Sequence, residues 1–296
     1  MKMKQYTGIM TALVTPLTKE NTIDESKLKK LIDFQIEKGV SSLLILGGTG
    51  EYSALSEEVR VQAVKAAVAA AANRVPVVAG ILEPGISTAV HHGKLFKEAG
   101  ADALLVLAPY YVHPTQAGII DFFKKFDEEV DMPFLLYNIP YRTYVNVMPE
   151  TVEKLVDLLP NLIGMKECSP SFAQALELVH RVGDKISVLS GEEFLCAGEI
   201  LLGADGAIMA TANLIPDVWV QIYQAASQKK ADEVAKLLKK YFPLFKLLFK
   251  EINPVPLKYA MGKIGLETGE ISIPLQAPST ALQAELDAEM KKLGLI

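Results

Sequence analysis

Cysteine, histidine and tryptophan are scarce in this chain of 296 residues, which contains 2 Cys, 4 His and 1 Trp. The two cysteines, Cys168 and Cys196, show neither a CxxC pattern nor the Cys/His spacing of a zinc site. These absences argue against a disulfide framework and against a structural metal site. Two isolated cysteines are typical of reduced thiols, so a cytoplasmic location is expected.

An excess of basic charge and long apolar runs are also lacking. Lysine and arginine number 30 against 35 aspartate and glutamate residues, which gives a formal net charge of −5. Nucleic acid and anionic membranes are therefore not expected as partners. No apolar run is long enough to span a bilayer, and none follows the basic residues 1–4 as it would in a signal peptide.

Short apolar runs alternate with helical patterns along most of the chain, and half of all residues are apolar. The predicted strands are 9–14, 42–46, 75–79, 103–107, 134–137, 162–165, 186–189 and 206–209. The predicted helices that follow them are 26–38, 56–72, 87–99, 115–129, 149–158, 171–182, 194–202 and 216–227. Eight such units predict an α/β fold, a (β/α)8 TIM barrel, with a doubly wound open sheet as the alternative.

Helical patterns continue after the eighth unit, and no low-complexity linker divides the chain. Residues 1–230 are predicted to form the barrel and to carry the active site. Residues 231–296 are predicted to form a C-terminal helical extension packed on it. The predicted helices of the extension are 231–250, 254–263 and 278–293.

Lys166 stands at the end of the sixth predicted strand. Burial disfavours the ammonium form of lysine, so an amine in this place can attack a carbonyl carbon and form a Schiff base. The alternative is a lysine whose amine reaches solvent along the strand end. The active site of a barrel lies at the carboxyl ends of its strands, where Tyr111, Tyr137 and Arg142 are also expected. Their convergence on one mouth favours the catalytic interpretation.

A glycine-rich loop, Gly47-Gly48-Thr49-Gly50-Glu51, follows the second predicted strand. The backbone N–H groups of such a loop can hold an anion. The loop lacks the spacing of a dinucleotide fingerprint or a P-loop, so a small carboxylate is the better candidate ligand. The alternative is an ordinary tight turn with a solvated Glu51.

Two side chains near Lys166 have chemistry that suits a Schiff-base reaction. The phenol of Tyr137 could transfer protons to and from the reacting carbon and nitrogen, although a plain core tyrosine is the alternative. Arg142 could clamp a substrate carboxylate with its fork of N–H donors, and a surface arginine is the alternative.

Other titratable residues are assigned no chemical role. Adjacent side chains diverge in direction, so Glu192 and Glu193 are interpreted as charges at the start of a helix rather than as a carboxylate pair. His91, His92 and His180 are expected on helix surfaces, since they form no metal-ligand or triad spacing.

In order and spacing, the strand-end motifs resemble those of the dihydrodipicolinate synthase/N-acetylneuraminate lyase family of Schiff-base barrel enzymes. The resemblance covers nearly the whole chain, and the last of its motifs looks like the synthase branch. The motifs are Gly47-Gly48-Thr49-Gly50-Glu51, Pro109-Tyr110-Tyr111, Tyr137-Asn138-Ile139-Pro140, Gly164-Met165-Lys166-Glu167, Gly203-Ala204-Asp205-Gly206 and Asn253-Pro254-Val255-Pro256-Leu257-Lys258.

The resemblance implies a pyruvate-dependent lyase that needs no metal or organic cofactor. Lys166 would form a covalent imine with pyruvate or another 2-keto acid, and Tyr137 would be the proton-transfer phenol. Tyr111 would reach across an interface into the neighbouring active site, within a homotetramer built as a dimer of dimers.

The same resemblance implies a set of substrate-binding residues. Thr49 and the backbone at Gly48 would hold the keto-acid carboxylate, and Arg142 would bind the carboxylate of the second substrate, an aldehyde. Gly191 and Ile208 would line the substrate site.

Two residues depart from the synthase pattern. Gly48 stands where the pattern has a threonine, which removes a hydroxyl expected to relay protons, and Tyr144 replaces a small residue. Arg142 nevertheless favours the synthase branch, which condenses pyruvate with aspartate semialdehyde in lysine biosynthesis. The alternatives are an aldolase or dehydratase of 2-keto-3-deoxy sugar acids, and a non-catalytic barrel that binds a keto acid.

Overall fold

The computed structural model describes residues 6–296. The first five residues of the predicted barrel region, including the basic residues 1–4, lie outside the described residues. Within residues 6–296, eight parallel strands pair in chain order and close into a barrel, because the last strand also pairs with the first. The strands are β1 (Gly8–Ala12), β2 (Ser42–Ile45), β3 (Val77–Ile81), β4 (Ala103–Leu107), β5 (Phe134–Asn138), β6 (Leu162–Glu167), β7 (Ser187–Ser190) and β8 (Gly206–Met209).

Helices follow the strands and cover the outside of the barrel. Those of the barrel region are α1 (Glu25–Glu37), α2 (Glu57–Ala71), α3 (Ile86–Glu98), α4 (Gln116–Val130), α5 (Pro140–Thr143), α6 (Pro149–Leu158), α7 (Phe172–Val182), α8 (Cys196–Leu201) and α9 (Pro216–Ser227). Three more follow, α10 (Ala231–Leu248), α11 (Val255–Lys263) and α12 (Thr280–Leu293). Helix α10 packs against α9 and α12. The predicted TIM barrel with C-terminal helices is therefore confirmed, whereas a domain boundary at residue 230 stays a prediction.

Alternate side chains of each strand enter two separate apolar layers, as the period of two in a β-strand requires. In β4, Leu105 and Leu107 belong to the cluster inside the barrel. Leu104 and Val106 belong to the larger cluster between the strands and the helices. The alternation of side chains along a strand thus decides which of them point into the interior of the barrel.

Several strands differ in extent from the sequence prediction, and the difference in β6 matters for the site. β3 begins at Val77 rather than at residue 75, since Pro76 has no N–H to donate to a neighbouring strand. β6 runs to Glu167 rather than ending at residue 165. Its last two residues, Lys166 and Glu167, are polar, so the apolar pattern in the sequence stops before the hydrogen-bonded ladder does. Lys166 therefore lies inside the strand.

Among residues 6–296, none of the helices combines the length and the apolarity that crossing a bilayer demands.

Candidate active site

Lys166 and Tyr137 lie side by side on β6 and β5. The two strands pair in a register that places Tyr137 opposite Lys166, and the Nζ atom of Lys166 lies 4.6 Å from the centre of the Tyr137 ring. Both residues are buried, with 8% of Lys166 and 6% of Tyr137 exposed. The amine and the phenol therefore meet inside the barrel, near the carboxyl ends of its strands.

A cavity of about 440 Å³ opens at this end of the barrel. Its volume lies in the range of pockets that bind small molecules, roughly 300–1,000 Å³. Seven of the eight site residues predicted from the sequence line it, namely Gly48, Thr49, Tyr137, Arg142, Lys166, Gly191 and Ile208.

Tyr111 is the predicted site residue that the structure places apart from this cavity. Its side chain is 87% exposed, and its backbone has a φ of +74°, a left-handed conformation that is uncommon for a residue other than glycine. Val112 and Tyr144 are also largely exposed beside it, and the Tyr144 ring lies 6.4 Å from that of His113. This rim of the barrel therefore carries an exposed aromatic surface.

The glycine-rich loop after β2 is held by contacts with the C-terminal part of the chain, and Glu51 and Asn253 themselves line the cavity. The Glu51 carboxylate lies 2.6 Å from the Nζ atom of Lys258, and both side chains are almost completely buried. Asn253 Nδ2 donates a hydrogen bond of 3.0 Å to Thr49 Oγ1. The alternative interpretation of Glu51 as a solvated carboxylate is therefore wrong. Its partner is 207 residues away in the sequence, so local pattern could not reveal it.

Gly191 has no room for a side chain. A β-carbon there would lie 2.1 Å from Cys168 Sγ and 2.7 Å from Lys166 Cε. The Cys168 thiol donates a hydrogen bond of 3.4 Å to the Gly191 carbonyl oxygen. The missing side chain at residue 191 thus leaves the space that the Lys166 chain occupies.

The buried phenol of Tyr137 keeps its proton near neutral pH. Burial raises the pKa of Tyr137 well above its usual value, neighbouring Cys168 and Tyr141 add to the rise, and Arg142 opposes it. A protonated phenol can donate a proton to a leaving group, so the geometry and the protonation state both suit a general acid.

The sequence interpretation of Glu192 and Glu193 as helix-start charges is wrong, because α8 begins only at Cys196. Glu193 is buried and lines the cavity. Its Oε1 atom accepts hydrogen bonds from the backbone N–H groups of Ala210 at 2.9 Å and Thr211 at 3.2 Å. Burial raises the pKa of Glu193 to about 7. The carboxylate holds the chain after β8 against the chain after β7, a contact that sequence spacing did not reveal.

Glu167 follows Lys166 in β6 and points to the other face of the strand, as the period of two requires. It is 2% exposed. Its carboxylate accepts hydrogen bonds from Asn138 Nδ2 at 3.0 and 3.1 Å, from the Ser169 N–H at 2.6 Å and from Gln174 Nε2 at 3.3 Å. Asn138 pairs with Glu167 in the same ladder that pairs Tyr137 with Lys166, so this contact secures the register of the two strands.

Asn138 also anchors the loop that carries Arg142. Its Oδ1 atom accepts a hydrogen bond of 3.0 Å from the Val147 N–H. Within the loop, Thr143 Oγ1 donates to the Ile139 carbonyl oxygen at 3.0 Å. Arg142 is therefore held at the edge of the cavity by contacts on both sides of it in the sequence.

His92 is buried, which contradicts the expectation that it lies on a helix surface. It shares the buried face of α3 with Ala89 and Phe96. His91 and His180 are exposed, as predicted.

Comparisons with known proteins agree with this geometry. A model of the dihydrodipicolinate synthetase family matches residues 5–293. The chain is 38% identical over 294 residues to 4-hydroxy-tetrahydrodipicolinate synthase of Maridesulfovibrio salexigens, covering 98% of this chain and 99% of the relative. It is 37% identical over 289 residues to the synthase of Pseudomonas putida, with the same coverage.

Solved structures show the same relationship. Dihydrodipicolinate synthase from Aquifex aeolicus has a TM-score of 0.94 and 36% sequence identity, over 98% of this chain and 99% of that one. The Acinetobacter baumannii synthase, described as complexed with pyruvate, has a TM-score of 0.94 and 34% identity over the same shares of the two chains.

The fold and the site define a (β/α)8 barrel with a buried lysine in the cavity at the carboxyl ends of its strands. The chain belongs to the dihydrodipicolinate synthetase family, and its resemblance to that family is confirmed. Within the family it is a lyase of the dihydrodipicolinate synthase branch.

Gly191→Ala is expected to lower the free energy of unfolding by about 1–3 kcal/mol, the usual cost of inserting a methyl group into filled space. Gly48→Ala is the matched control, because no described atom outside residues 47–49 lies within 4 Å of a β-carbon at that residue, and its change is expected to stay within about 0.5 kcal/mol. Denaturant unfolding of both variants checks the comparison. Equal stabilities would contradict it.

The stability of the wild type is expected to fall relative to that of Glu167→Gln as the pH rises from 5 to 8. Burial raises the pKa of Glu167 to about 7, although hydrogen bonds from Asn138, Ser169 and Gln174 oppose the rise. An unfolded glutamate has a pKa of about 4.3, so the folded chain binds the additional proton. The stabilisation is complete below pH ~4.3 and is lost as the pH approaches 7, by up to roughly 3 kcal/mol.

Urea unfolding of wild type and Glu167→Gln at several pH values gives the difference between the two curves. Other buried carboxylates titrate in both proteins and cancel in this difference. Parallel curves would show that Glu167 does not titrate in this range.

Proposed function

We propose that the chain is a 4-hydroxy-tetrahydrodipicolinate synthase that condenses pyruvate with aspartate semialdehyde through a covalent imine on Lys166. The observation that carries the proposal is the buried amine of Lys166 beside the phenol of Tyr137 on the wall of one cavity. Full-length relatives with the same name support the choice of reaction, and a related structure is described as a pyruvate complex.

The reaction begins with attack of the Lys166 amine on the keto carbon of pyruvate. Tyr137, protonated and adjacent, donates a proton to the departing hydroxyl, and water leaves as the imine forms. The imine withdraws electrons from the methyl group of pyruvate. The methyl group loses a proton, and the imine is thereby converted to an enamine. The enamine carbon then bonds to the aldehyde carbon, whose oxygen takes up a proton in place of the one that the methyl group released. The imine re-forms, and attack on its carbon by the amino group of the semialdehyde breaks the bond to Lys166 and frees the amine.

Residues around the cavity supply the binding groups in this proposal. Thr49 and the N–H groups of its loop, including that of Gly48, hold the pyruvate carboxylate. Arg142 binds the carboxylate of aspartate semialdehyde, and Gly191 and Ile208 line the space between.

A homotetramer built as a dimer of dimers is part of the proposal, with Tyr111 of one subunit entering the site of another. The exposed Tyr111, Val112 and Tyr144 support it, because a cluster of large side chains in water is typical of an interaction surface. The expectations that the chain is cytoplasmic and has no nucleic-acid or membrane partner stay predictions.

A sugar-acid aldolase or dehydratase is the second candidate, and Gly48 favours it. The open space beside Gly48 leaves room for a larger polar substrate, whose own hydroxyl could replace the one that a threonine would supply.

Borohydride reduction in the presence of pyruvate is expected to trap a covalent adduct on Lys166. Intact-mass measurement and peptide mapping locate the adduct, which should be absent from Lys166→Ala. Initial rates with aspartate semialdehyde and with a panel of sugar-derived aldehydes then identify the second substrate. Dominant turnover of a sugar acid would replace the synthase assignment, and trapping without any turnover would indicate a non-catalytic keto-acid-binding barrel.

Tyr137→Phe is expected to lower the rate by about 10²–10⁴, the usual contribution of a positioned acid–base group, while pyruvate binding is largely kept. Steady-state kinetics measure the loss. Tyr259→Phe is the control, since it removes a phenol that donates to Asp287 in the C-terminal helices. A near-normal rate in Tyr137→Phe would remove Tyr137 from the mechanism.

Gly48→Thr is expected to raise the synthase rate by roughly tenfold if the missing hydroxyl limits proton transfer, the effect of about one hydrogen bond in the transition state. The added β-carbon has room, because no described atom outside residues 47–49 lies within 4 Å of it. Gly48→Ala adds the carbon without the hydroxyl and should give no gain. Equal rates in the two variants would show that the hydroxyl is not limiting.

A further inference from the structure

A buried ion pair joins the glycine-rich loop to the C-terminal helices. Glu51 Oε1 lies 2.6 Å from Lys258 Nζ, and the two side chains are 1% and 2% exposed. Lys258 lies on α11, beyond the eight strands and helices that complete the barrel. Burial lowers the pKa of Lys258, and the Glu51 carboxylate opposes this shift.

All hydrogen-bonding groups of the Lys258 ammonium have partners. Besides Glu51, its Nζ atom donates to the carbonyl oxygens of Thr15 at 3.1 Å and Glu270 at 2.6 Å, and an ammonium has three donors. The second oxygen of Glu51 accepts a hydrogen bond of 2.7 Å from the Ser272 N–H. The pair thus ties together four segments that are far apart in the sequence.

These contacts adjoin the proposed pyruvate-binding loop, and Glu51 and Ser272 line the same cavity as the loop. Asn253 Nδ2 donates to Thr49 Oγ1 at 3.0 Å, and Thr15 Oγ1 donates to the Gly50 carbonyl oxygen at 2.7 Å. Glu51 itself has a φ of +59°, a left-handed conformation that a non-glycine residue keeps only when its surroundings hold it there. Three successive residues of the loop are therefore fixed from outside it.

A buried ion pair is a poor source of stability, because desolvation of the two charges offsets much of their attraction, and apolar replacements are often as stable. Its value here lies in geometry, since a fully paired charge has one position in which all its partners are satisfied. Because Glu51 is held in one position, the glycine-rich loop is fixed at its end, two residues after Thr49.

We propose that Glu51 and Lys258 are positioning residues for the keto-acid subsite, and that the C-terminal helices belong to the active site through them. The pair holds Thr49 and the N–H groups of the loop in the arrangement that receives the pyruvate carboxylate. This inference rests on the proposed function, since it assigns the loop to pyruvate.

The double variant Glu51→Gln/Lys258→Met tests the proposal, because it removes both charges and leaves none unpaired in the interior. The pyruvate concentration that gives half-maximal borohydride trapping is expected to rise about tenfold, equivalent to roughly 1.4 kcal/mol of binding free energy. The rate of trapping at saturating pyruvate should change less than about twofold, since lost ground-state binding leaves the chemical step in place.

Asp287→Asn is the matched control in the same helices. Asp287 accepts hydrogen bonds from Lys263 Nζ at 3.1 Å and Tyr259 Oη at 3.0 Å, and so links α11 to α12 without touching the loop. This variant is expected to lower thermal stability with no change in half-saturating pyruvate.

If the double variant loses thermal stability but keeps the wild-type half-saturation, the pair is merely structural and the proposal is overturned. Absence of trapping in the wild type would instead defeat the proposed function itself. If the double variant does not fold, hydrogen exchange of the wild type decides: pyruvate should protect residues 253–258 and 270–272 together with residues 47–51. Protection confined to the loop would also overturn the proposal.

Discussion

The site depends on one cross-strand pair inside a closed ring of strands. Closure requires that each strand keep its register with two neighbours, and the register of β5 and β6 places Tyr137 opposite Lys166. The period of two then directs both side chains into the barrel. An amine and a phenol that would separate in a flexible chain are thereby kept within 4.6 Å, measured from amine to ring centre. The chemistry proposed for the chain requires this proximity.

Buried polar groups that hold the backbone around the cavity maintain that arrangement. Glu167 and Asn138 occupy the opposite face of the same two strands, one residue beyond the amine and the phenol, and secure them from the helix side. Glu51 and Lys258 secure the glycine-rich loop in the same way from the C-terminal helices. In both places a buried carboxylate is stabilised by several donors. Glu51 lines the cavity itself, and Glu167 directly follows Lys166, which does.

The parts of this structure that sequence reasoning reached are those with a local or periodic signal. The eight units, the location of Lys166 near the carboxyl end of β6 and the loop around Thr49 follow from apolar periodicity and the barrel rule. The parts it missed depend on distant partners. The sequence leaves a solvated Glu51 open as an alternative, because Lys258 lies 207 residues further on. It does not reveal the contacts of Glu193, because the donors follow a different strand. His92 is expected on a helix surface because it forms no metal-ligand or triad spacing, a criterion that does not detect its place on the buried face of α3.

The central claim is that the Lys166 amine bonds covalently to a keto acid inside the barrel. A crystal structure of the protein soaked in pyruvate tests it most directly. Continuous electron density is expected from Lys166 Nζ to the keto carbon, with the carboxylate against Thr49 and the N–H groups of its loop. An unmodified Lys166 beside ordered pyruvate bound elsewhere would contradict the account.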